Sequence, residues 1–311
     1  MATVFRPSEC TLFLPTGWIN PRKFEDALLR CGDALGTSFM NVVVRIATGT
    51  KMTIDVILRV LSFCNQVVTM TKRLVLIFEG GHEDTGYLDR MGFFEHLQSS
   101  VEVSPRRPII SRAAIHRGVN ATLVEIERFS GTAPADVSLI NRLGTAAQRS
   151  CATRSDVTQI YNSVSKIFSE LINNVSEHSK SPLDGYAALQ RYERGNEVRI
   201  AVSDSGIGIL ESLRPALAAK SDPAANLNDI DLLVEMFRKG ISRLDDQDRG
   251  NGLMVSAHHA IRFKANLDIR LPRQRTLLKP ANDQYSQNMA YSTAQLPLLW
   301  GTHLSFALKL A

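Results

Sequence analysis

The chain contains 311 residues, has a mass of 34.4 kDa and carries a formal net charge of +5 at pH 7. Its 44% hydrophobic and 22% charged residues are typical of a globular protein, and its length allows two domains with separate cores. Four widely spaced cysteines without a Cys-x-x-Cys pair argue against a zinc site or a disulfide scaffold. The N-terminus lacks a signal-sequence pattern and no apolar run approaches a membrane span, so we expect a cytoplasmic protein without a membrane partner.

The first hundred residues alternate between strand and helix patterns. Residues 41–47 and 74–78 are apolar and rich in β-branched side chains, which predicts two strands. Helices are predicted at 54–68 and 87–97. This alternation predicts a small α/β domain over residues 1–103.

The same region resembles the STAS domain of anti-sigma-factor antagonists. The resemblance runs from Val42 to a Leu-x-x-Met-Gly-Phe sequence that ends at Phe93. The phosphoacceptor turn of that family would fall near Thr53 to Asp55, where its Asp-Ser pair is not reproduced. The resemblance therefore implies a domain that binds a protein partner.

A linker and helical segment is predicted over residues 104–150. Ser104 to Pro108 marks the domain boundary, and residues 135–148 have a helical pattern. A basic cluster in this segment could contact nucleic acid, but no aromatic residues alternate with it. An exposed linker is the favoured interpretation, and nucleic acid is not an expected partner. The cluster consists of Arg106, Arg107, Arg112, His116 and Arg117.

A polar row is expected on one face of a helix that contains Glu170, Asn174 and His178. An α-helix turns about 100° per residue, so a step of four moves a side chain only about 40° around the axis. Such a row can hold water, a hydrated cation and an anion, although in isolation a solvated helix edge is the favoured interpretation. An apolar stripe on the same helix should face a core: Tyr161, Val164, Ile167, Phe168, Leu171, Ile172 and Val175.

Two strands and a glycine-containing turn follow this helix. Residues 185–192 and 198–202 read as a hairpin with a turn at Gly195 and Asn196. The second strand runs into Asp204-Ser205-Gly206-Ile207-Gly208. An acidic residue followed by alternating glycines lets the backbone approach a flat ligand while the carboxylate accepts a hydrogen bond. An ordinary strand-ending turn is the alternative.

A second glycine segment, Arg249-Gly250-Asn251-Gly252-Leu253, precedes an apolar helical pattern. Free N–H groups and the helix dipole meet at such a point, which predicts a phosphate site. The alternative is a glycine cap without a ligand. Finally, Gly301-Thr302 precedes a period-two strand that ends the sequence.

The four motifs, in this order, resemble the GHKL ATPase superfamily, which includes DNA gyrase, heat-shock chaperones, histidine kinases, MutL-type repair proteins and anti-sigma-factor kinases. The resemblance covers residues 151–311. It implies an α/β fold class in which this region is an α/β sandwich of the Bergerat type, with a mixed sheet covered by helices on one face. ATP and Mg²⁺ are the implied cofactors.

The resemblance also implies a role for each motif. Glu170 would orient or deprotonate the attacking water or acceptor group, and Asn174 would ligate Mg²⁺. Asp204 would accept a hydrogen bond from the adenine amino group, with support from Thr302. The remaining implied nucleotide-binding residues are Gly206 and Gly208 at the base, Gly250 and Gly252 at the phosphates, and His178, Arg249, Asn251 and Leu253.

The segment between Gly208 and Gly250 is expected to act as a lid over the nucleotide, with a mobile middle at 220–228. A loop without assignable chemistry is predicted at 279–297. Four residues of the lid segment could contact phosphate or equally be solvated charges: Lys239, Ser242, Arg243 and Arg249.

The leading functional hypothesis is a regulatory ATPase or kinase whose nucleotide state controls binding of a protein partner through the front domain. In anti-sigma systems the two domain types regulate one another on separate chains, so their fusion would make the interaction intramolecular. An ATP-gated dimerisation clamp and a non-hydrolysing ATP sensor remain as alternatives, and a homodimer is allowed. A sensor histidine kinase is disfavoured because the neighbours of His116 do not resemble a phosphoacceptor sequence.

Overall fold

A computed structural model describes residues 9–130, 136–178, 181–239, 252–288 and 292–310. At residues 174–178, 239 and 252–255 the description is limited to the backbone. The four cysteines are buried and free of disulfide bonds. Within the described ranges, no helix combines the length and the hydropathy that crossing a membrane requires.

The front of the chain folds around a four-stranded parallel sheet in the order β1-β3-β5-β6. A separate pair, β2 and β4, is also parallel. The elements in chain order are β1 (Glu9–Leu14), β2 (Gly17–Ile19), α1 (Pro21–Cys31), β3 (Asn41–Ile46), β4 (Thr50–Met52), α2 (Ile54–Thr69), β5 (Arg73–Phe78), α3 (His82–Arg90), α4 (Phe93–His96) and β6 (Glu102–Ser104).

The predicted strands at 41–47 and 74–78 and the predicted helix at 54–68 are confirmed as β3, β5 and α2. The helix predicted at 87–97 is instead two helices, because Gly92 adopts a left-handed conformation (φ 81°) between α3 and α4. The α1 helix was not predicted. Asn20 caps it through a hydrogen bond from the Lys23 N–H, and proline occupies its first position.

The rest of the chain builds a seven-stranded sheet in the order β12-β11-β10-β13-β9-β8-β7. The elements that follow β6 in chain order are α5 (Arg112–His116), β7 (Leu123–Phe129), α6 (Val137–Ser150), α7 (Val157–His178), β8 (Gly185–Tyr192), β9 (Glu197–Ser203), α8 (Ile209–Ala219), α9 (Asp229–Lys239), α10 (Gly252–Arg262), β10 (Asn266–Leu271), β11 (Gln274–Ala281), β12 (Gln284–Gln287) and β13 (His303–Lys309). Of these, α5 packs against α3.

The prediction of a mixed sheet in this region was wrong for the strands that the structure describes. Each of their pairings is antiparallel. Short turns join β8 to β9 and β10 through β12 in series, and such hairpins require antiparallel neighbours. The turn between β11 and β12 uses Asn282 and Asp283, both at positive φ, as a two-residue hairpin turn requires. The loop predicted at 279–297 therefore contains the end of β11 and all of β12.

Helices cover both faces of this sheet, whereas the prediction was one covered face. Helices α6, α7 and α10 share an apolar core with side chains of β8 and β9 such as Leu189 and Ile200. The opposite face, with Tyr186, Ala188 and Ala201, belongs to the core of the front domain and packs against α2. Residues 54–67 of α2 are consequently all buried. The front domain, which comprises β1 to β6 and their helices, thus covers one face of the seven-stranded sheet, called the second sheet below.

The segment 104–150, predicted as a linker and helical segment, contains an edge strand of the second sheet. Its β7 pairs with β8, and α6 packs against α7. The basic cluster is partly used inside the fold. Arg107 donates hydrogen bonds to the carbonyl oxygens of Leu97 (2.9 Å) and Val101 (3.0 Å), and Arg117 pairs with Glu127 (2.5 Å).

Candidate functional site

The turn after β9 meets the start of β13 through hydrogen bonds centred on Asp204. The backbone N–H of Asp204 donates to the carbonyl oxygen of Thr302 (3.1 Å). In return, the Thr302 N–H donates to Oδ2 of Asp204 (3.1 Å), and the Gly206 N–H donates to Oδ1 (2.7 Å). The Asp204 residue is only 5% exposed. Two backbone donors therefore hold a buried carboxylate at the ends of two neighbouring strands.

Two glycines permit this close approach. A Cβ atom at Gly301 would lie 2.1 Å from the carbonyl oxygen of Asp204, and one at Gly208 would lie 2.8 Å from the Pro272 ring. Both glycines have positive φ, 91° and 88°, which disfavours other residues. The Thr302 hydroxyl accepts a hydrogen bond from the N–H of Ile209, the first residue of α8 (3.0 Å). The structure thus brings together the predicted residues Asp204, Gly206, Gly208 and Thr302.

Burial raises the pKa of Asp204 to about 6, although the N–H groups of Gly206 and Thr302 oppose that shift. The carboxyl group is therefore mostly ionised at neutral pH. Each of its oxygens accepts one backbone hydrogen bond and retains a further lone pair. A buried ionised carboxylate beside glycine turns suits a flat ligand that donates a hydrogen bond, such as an adenine amino group.

The predicted polar row lies on one continuous helix. Glu170, Asn174 and His178 all belong to α7, and Glu170 is half-buried and has an interaction partner. The side chains of Asn174 and His178 lie outside the description. Helix α7 packs against α10, where the Ser163 hydroxyl lies 2.8 Å from Nδ1 of His259. The helix row and the helix that follows the second glycine segment are therefore neighbours.

The second glycine segment is described only in part. Helix α10 begins at Gly252, as the pattern predicted, and includes Leu253. Three predicted residues of this segment, Arg249, Gly250 and Asn251, lie outside the described residues, as do Ser242 and Arg243 from the lid prediction.

Much of the predicted lid is packed into the core. Leu213 and Leu217 of α8 and Leu232 of α9 are buried with the α7 side of the sheet. The predicted mobile middle forms a 3₁₀ turn at Pro223–Asn226. Arg214 anchors that turn by donating to two carbonyl oxygens, those of Ala225 (2.6 Å) and Leu227 (2.7 Å). The lid interpretation therefore does not extend to residues 209–239.

The second sheet covers the turn of the front domain at which a STAS-type phosphoacceptor would lie. The Ile54 N–H at the start of α2 donates to the Tyr192 hydroxyl (2.7 Å). Asp55 is buried and pairs with Arg199 of β9 (2.8 Å). Burial alone would raise the pKa of Asp55, but Arg199 and Arg59 hold it below its usual value. This turn is therefore part of an internal contact.

Sequence reasoning missed two residues at the Asp204 turn, Gln66 of the front domain and Trp300 beside the turn. Gln66 of α2 donates to the Ser205 hydroxyl (2.8 Å) and to the Trp300 carbonyl oxygen (3.0 Å). The only sequence signal was a pair of carboxamides, Asn65 and Gln66, inside an otherwise apolar helix.

Among the described residues, no group of three or more His, Cys, Asp or Glu side chains could hold a metal ion. Magnesium in nucleotide sites uses few protein oxygens together with water and phosphate. Asn174, its predicted ligand, is described only by its backbone. Neither a scan against protein-family models nor a search of curated proteins found a match to this chain.

Proposed function

We propose that the chain is a Mg-ATP-binding regulatory ATPase or protein kinase of the GHKL type, with a Bergerat-type nucleotide-binding region in residues 151–311. One observation carries the proposal. A buried, mostly ionised Asp204 stands at a glycine turn, held by the N–H groups of Gly206 and Thr302. That arrangement supports recognition of an adenine amino group by its remaining lone pairs.

The roles proposed for the other residues are those that the resemblance to the GHKL superfamily implies. Glu170, on the α7 helix that packs against α10, orients or deprotonates the attacking water or acceptor hydroxyl. Asn174 would offer its amide oxygen to Mg²⁺, and the backbone N–H groups at the N-terminal end of α10 would bind phosphate. ATP with Mg²⁺ supplies the transferable phosphoryl group. Phosphoryl transfer depends mainly on such positioning and charge stabilisation.

The packing of the front domain supports a regulatory role. Its helix α2 is buried against β8, β9 and β13, and these last two strands lead into or out of the Asp204 turn. A STAS-like domain in this place is an intramolecular partner of the nucleotide-binding region. Nucleotide state then controls which surfaces of the front domain are offered to a further protein.

The first test measures ATP binding and the fate of γ-labelled ATP with Mg²⁺. We expect Asp204→Asn to weaken binding, and Glu170→Ala to abolish release of free phosphate or transfer of label to protein while leaving binding intact. Glu193→Ala is the matched control, because that carboxylate is 79% exposed.

The destination of the label separates an ATPase from a kinase. Wild-type protein that binds no ATP would contradict the proposal. Binding without turnover in wild type and Glu170→Ala alike would leave a nucleotide sensor and reject the enzyme.

A further inference from the structure

Gln66 places a fully buried carboxamide between the front domain and the Asp204 turn. It lies in α2 and is 0% exposed. Its Nε2 group donates to the Ser205 hydroxyl (2.8 Å) and the Trp300 carbonyl oxygen (3.0 Å), and its Oε1 accepts from the Trp300 N–H (2.9 Å). Both ends of this side chain therefore bond to the loops that follow β9 and precede β13.

The two partners of Gln66 belong to the two segments that form the turn. Ser205 directly follows Asp204, and Trp300 is two residues before Thr302. The Asp204–Thr302 hydrogen bonds described above join these segments directly, and Gln66 links them a second time through a side chain of the front domain. Since a buried amide is costly when its hydrogen bonds are lost, any displacement of α2 should also displace this turn.

Asn65, the neighbouring residue, provides a comparison within the same helix. It is 1% exposed and also makes three hydrogen bonds: Nδ2 donates to the His96 carbonyl oxygen and the Tyr186 hydroxyl (both 3.0 Å), and Oδ1 accepts from the Gln98 N–H (2.9 Å). None of these partners belongs to the Asp204 turn. The two carboxamides thus have the same burial and the same number of hydrogen bonds, but only Gln66 bonds to residues beside Asp204 and Thr302.

We propose that Gln66 is a positioning residue for the Asp204 turn, and that through it the front domain sets the affinity for nucleotide. The inference rests on the proposed function for the identity of the ligand, and on Gln66 alone for the mechanical link. A protein that binds the front domain and shifts α2 then changes ATP affinity, and ATP changes the affinity for that protein by the same factor.

The test compares Gln66→Met with Asn65→Leu in the full chain, using ATP titration and amide hydrogen exchange without nucleotide. Gln66→Met should weaken ATP binding by about tenfold, within the usual range of coupling between sites. It should also speed exchange in peptides that contain the N–H groups of Gly206 and Thr302. Both variants should lower the midpoint of thermal unfolding by similar amounts. Asn65→Leu, however, should change neither the ATP affinity nor the exchange of the Gly206 and Thr302 N–H groups.

Ser205→Ala is a milder second variant in case Gln66→Met does not fold. It removes only the hydroxyl that accepts from Nε2 and should change both readouts in the same direction by less. Unchanged exchange at Gly206 and Thr302 in the variants would overturn the link, as would equal effects of the Asn65 variant. If wild-type protein binds no ATP, the proposed function fails, and the exchange measurement still decides whether Gln66 holds the turn.

Discussion

The two faces of the seven-stranded sheet present side chains of different chemistry to the helices that cover them. Toward α6, α7 and α10 the sheet presents aliphatic and aromatic residues such as Leu189, Ile200 and Phe306. Toward α2 it presents several polar and charged groups: Arg199, Ser203, Asp268, Arg270, His303 and Ser305, all on strands β9, β10 and β13 in matching register.

The polar face is stabilised by specific pairs. Arg59 of α2 bonds Asp268 (2.6 Å) and Glu25 of α1 (3.3 Å), and Glu25 also bonds Arg270 (3.1 Å). Apolar contacts accept many packings of similar volume, whereas a buried charge is tolerated only with its own partner. We infer that burial of the apolar face supplies stability, whereas the paired charges on the α2 face fix the orientation of the front domain.

The largest effect that would test this comparison is expected from Arg59→Met. This change breaks two buried ion pairs at once and leaves Asp268 with Arg275 and Glu25 with Arg270 as their remaining partners. It should lower the free energy of unfolding by about 3–5 kcal/mol, measured by urea denaturation. The control is Arg45→Met, which removes a pair with Glu79 on a half-exposed side chain and should cost at most about 1 kcal/mol. Equal losses in the two variants would reject a special role for the α2 face.

Ile172→Ala, on the apolar side of α7, should cost about 2–5 kcal/mol through cavity formation. The sharper contrast uses conservative changes at the same positions. Ile172→Val should cost only about 0.5–1.5 kcal/mol, whereas Arg59→Lys should retain most of the Arg59→Met loss, since an ammonium group cannot reproduce the fork of a guanidinium. Urea denaturation of the two Ile172 variants and the two Arg59 variants measures these losses. A small loss of stability in Arg59→Lys would show that the α2 face requires only a positive charge at this position.

Asp55→Asn should lower stability by about 1–3 kcal/mol at pH 7, because Asp55 is buried and pairs with Arg199. The folded state lowers the pKa of Asp55, so its contribution is complete above its unfolded value of about 3.9 and is lost as the pH falls through the lower folded value. Thermal unfolding of both proteins from neutral to acidic pH measures the difference. A stability difference between the two proteins that stays constant as the pH falls below about 4 would contradict this assignment.

Asp204 directly follows β9. Because its pKa is raised to about 6, protonation below pH 6 should remove the carboxylate acceptor and weaken ATP binding by up to about tenfold per pH unit. Asp204→Asn should bind ATP more weakly at pH 7 and lack this added dependence. Titration calorimetry measures binding to both proteins, and the difference between their pH profiles removes the contribution from protonation of ATP itself. The same pH profile in both would exclude Asp204 as the group responsible.

The smallest effect is expected from Tyr192→Phe. Its hydroxyl accepts from the Ile54 N–H at the start of α2, and removing it should cost about 1 kcal/mol, detectable as a lower midpoint of thermal unfolding. Tyr161→Phe is the control, since the Tyr161 hydroxyl donates to Asn141 at an exposed site (2.9 Å) and should matter less. A larger loss at Tyr161 would argue against Tyr192 as a cap of α2.

Local patterns predicted much of the site and little of its surroundings. The helix of Glu170, the hairpin before Asp204 and the strand after Thr302 follow from periodicities of a few residues, and the structure has them as α7, β8, β9 and β13. The packing of residues 209–239 into the core was missed, because charged and turn-forming residues masked buried positions such as Leu217 and Phe237. The nucleotide roles themselves remain predictions.

By itself, the sequence determined which residues lie on one helix face or follow one strand, since these relations depend on rise and twist per residue. Only the tertiary structure decided that the second sheet is antiparallel and that α2 closes its other face. Gln66 meets Ser205 and Trp300 across 139 and 234 residues. No local periodicity predicts such a contact, because the contact forms only when α2 is buried between the parallel sheet and the antiparallel sheet.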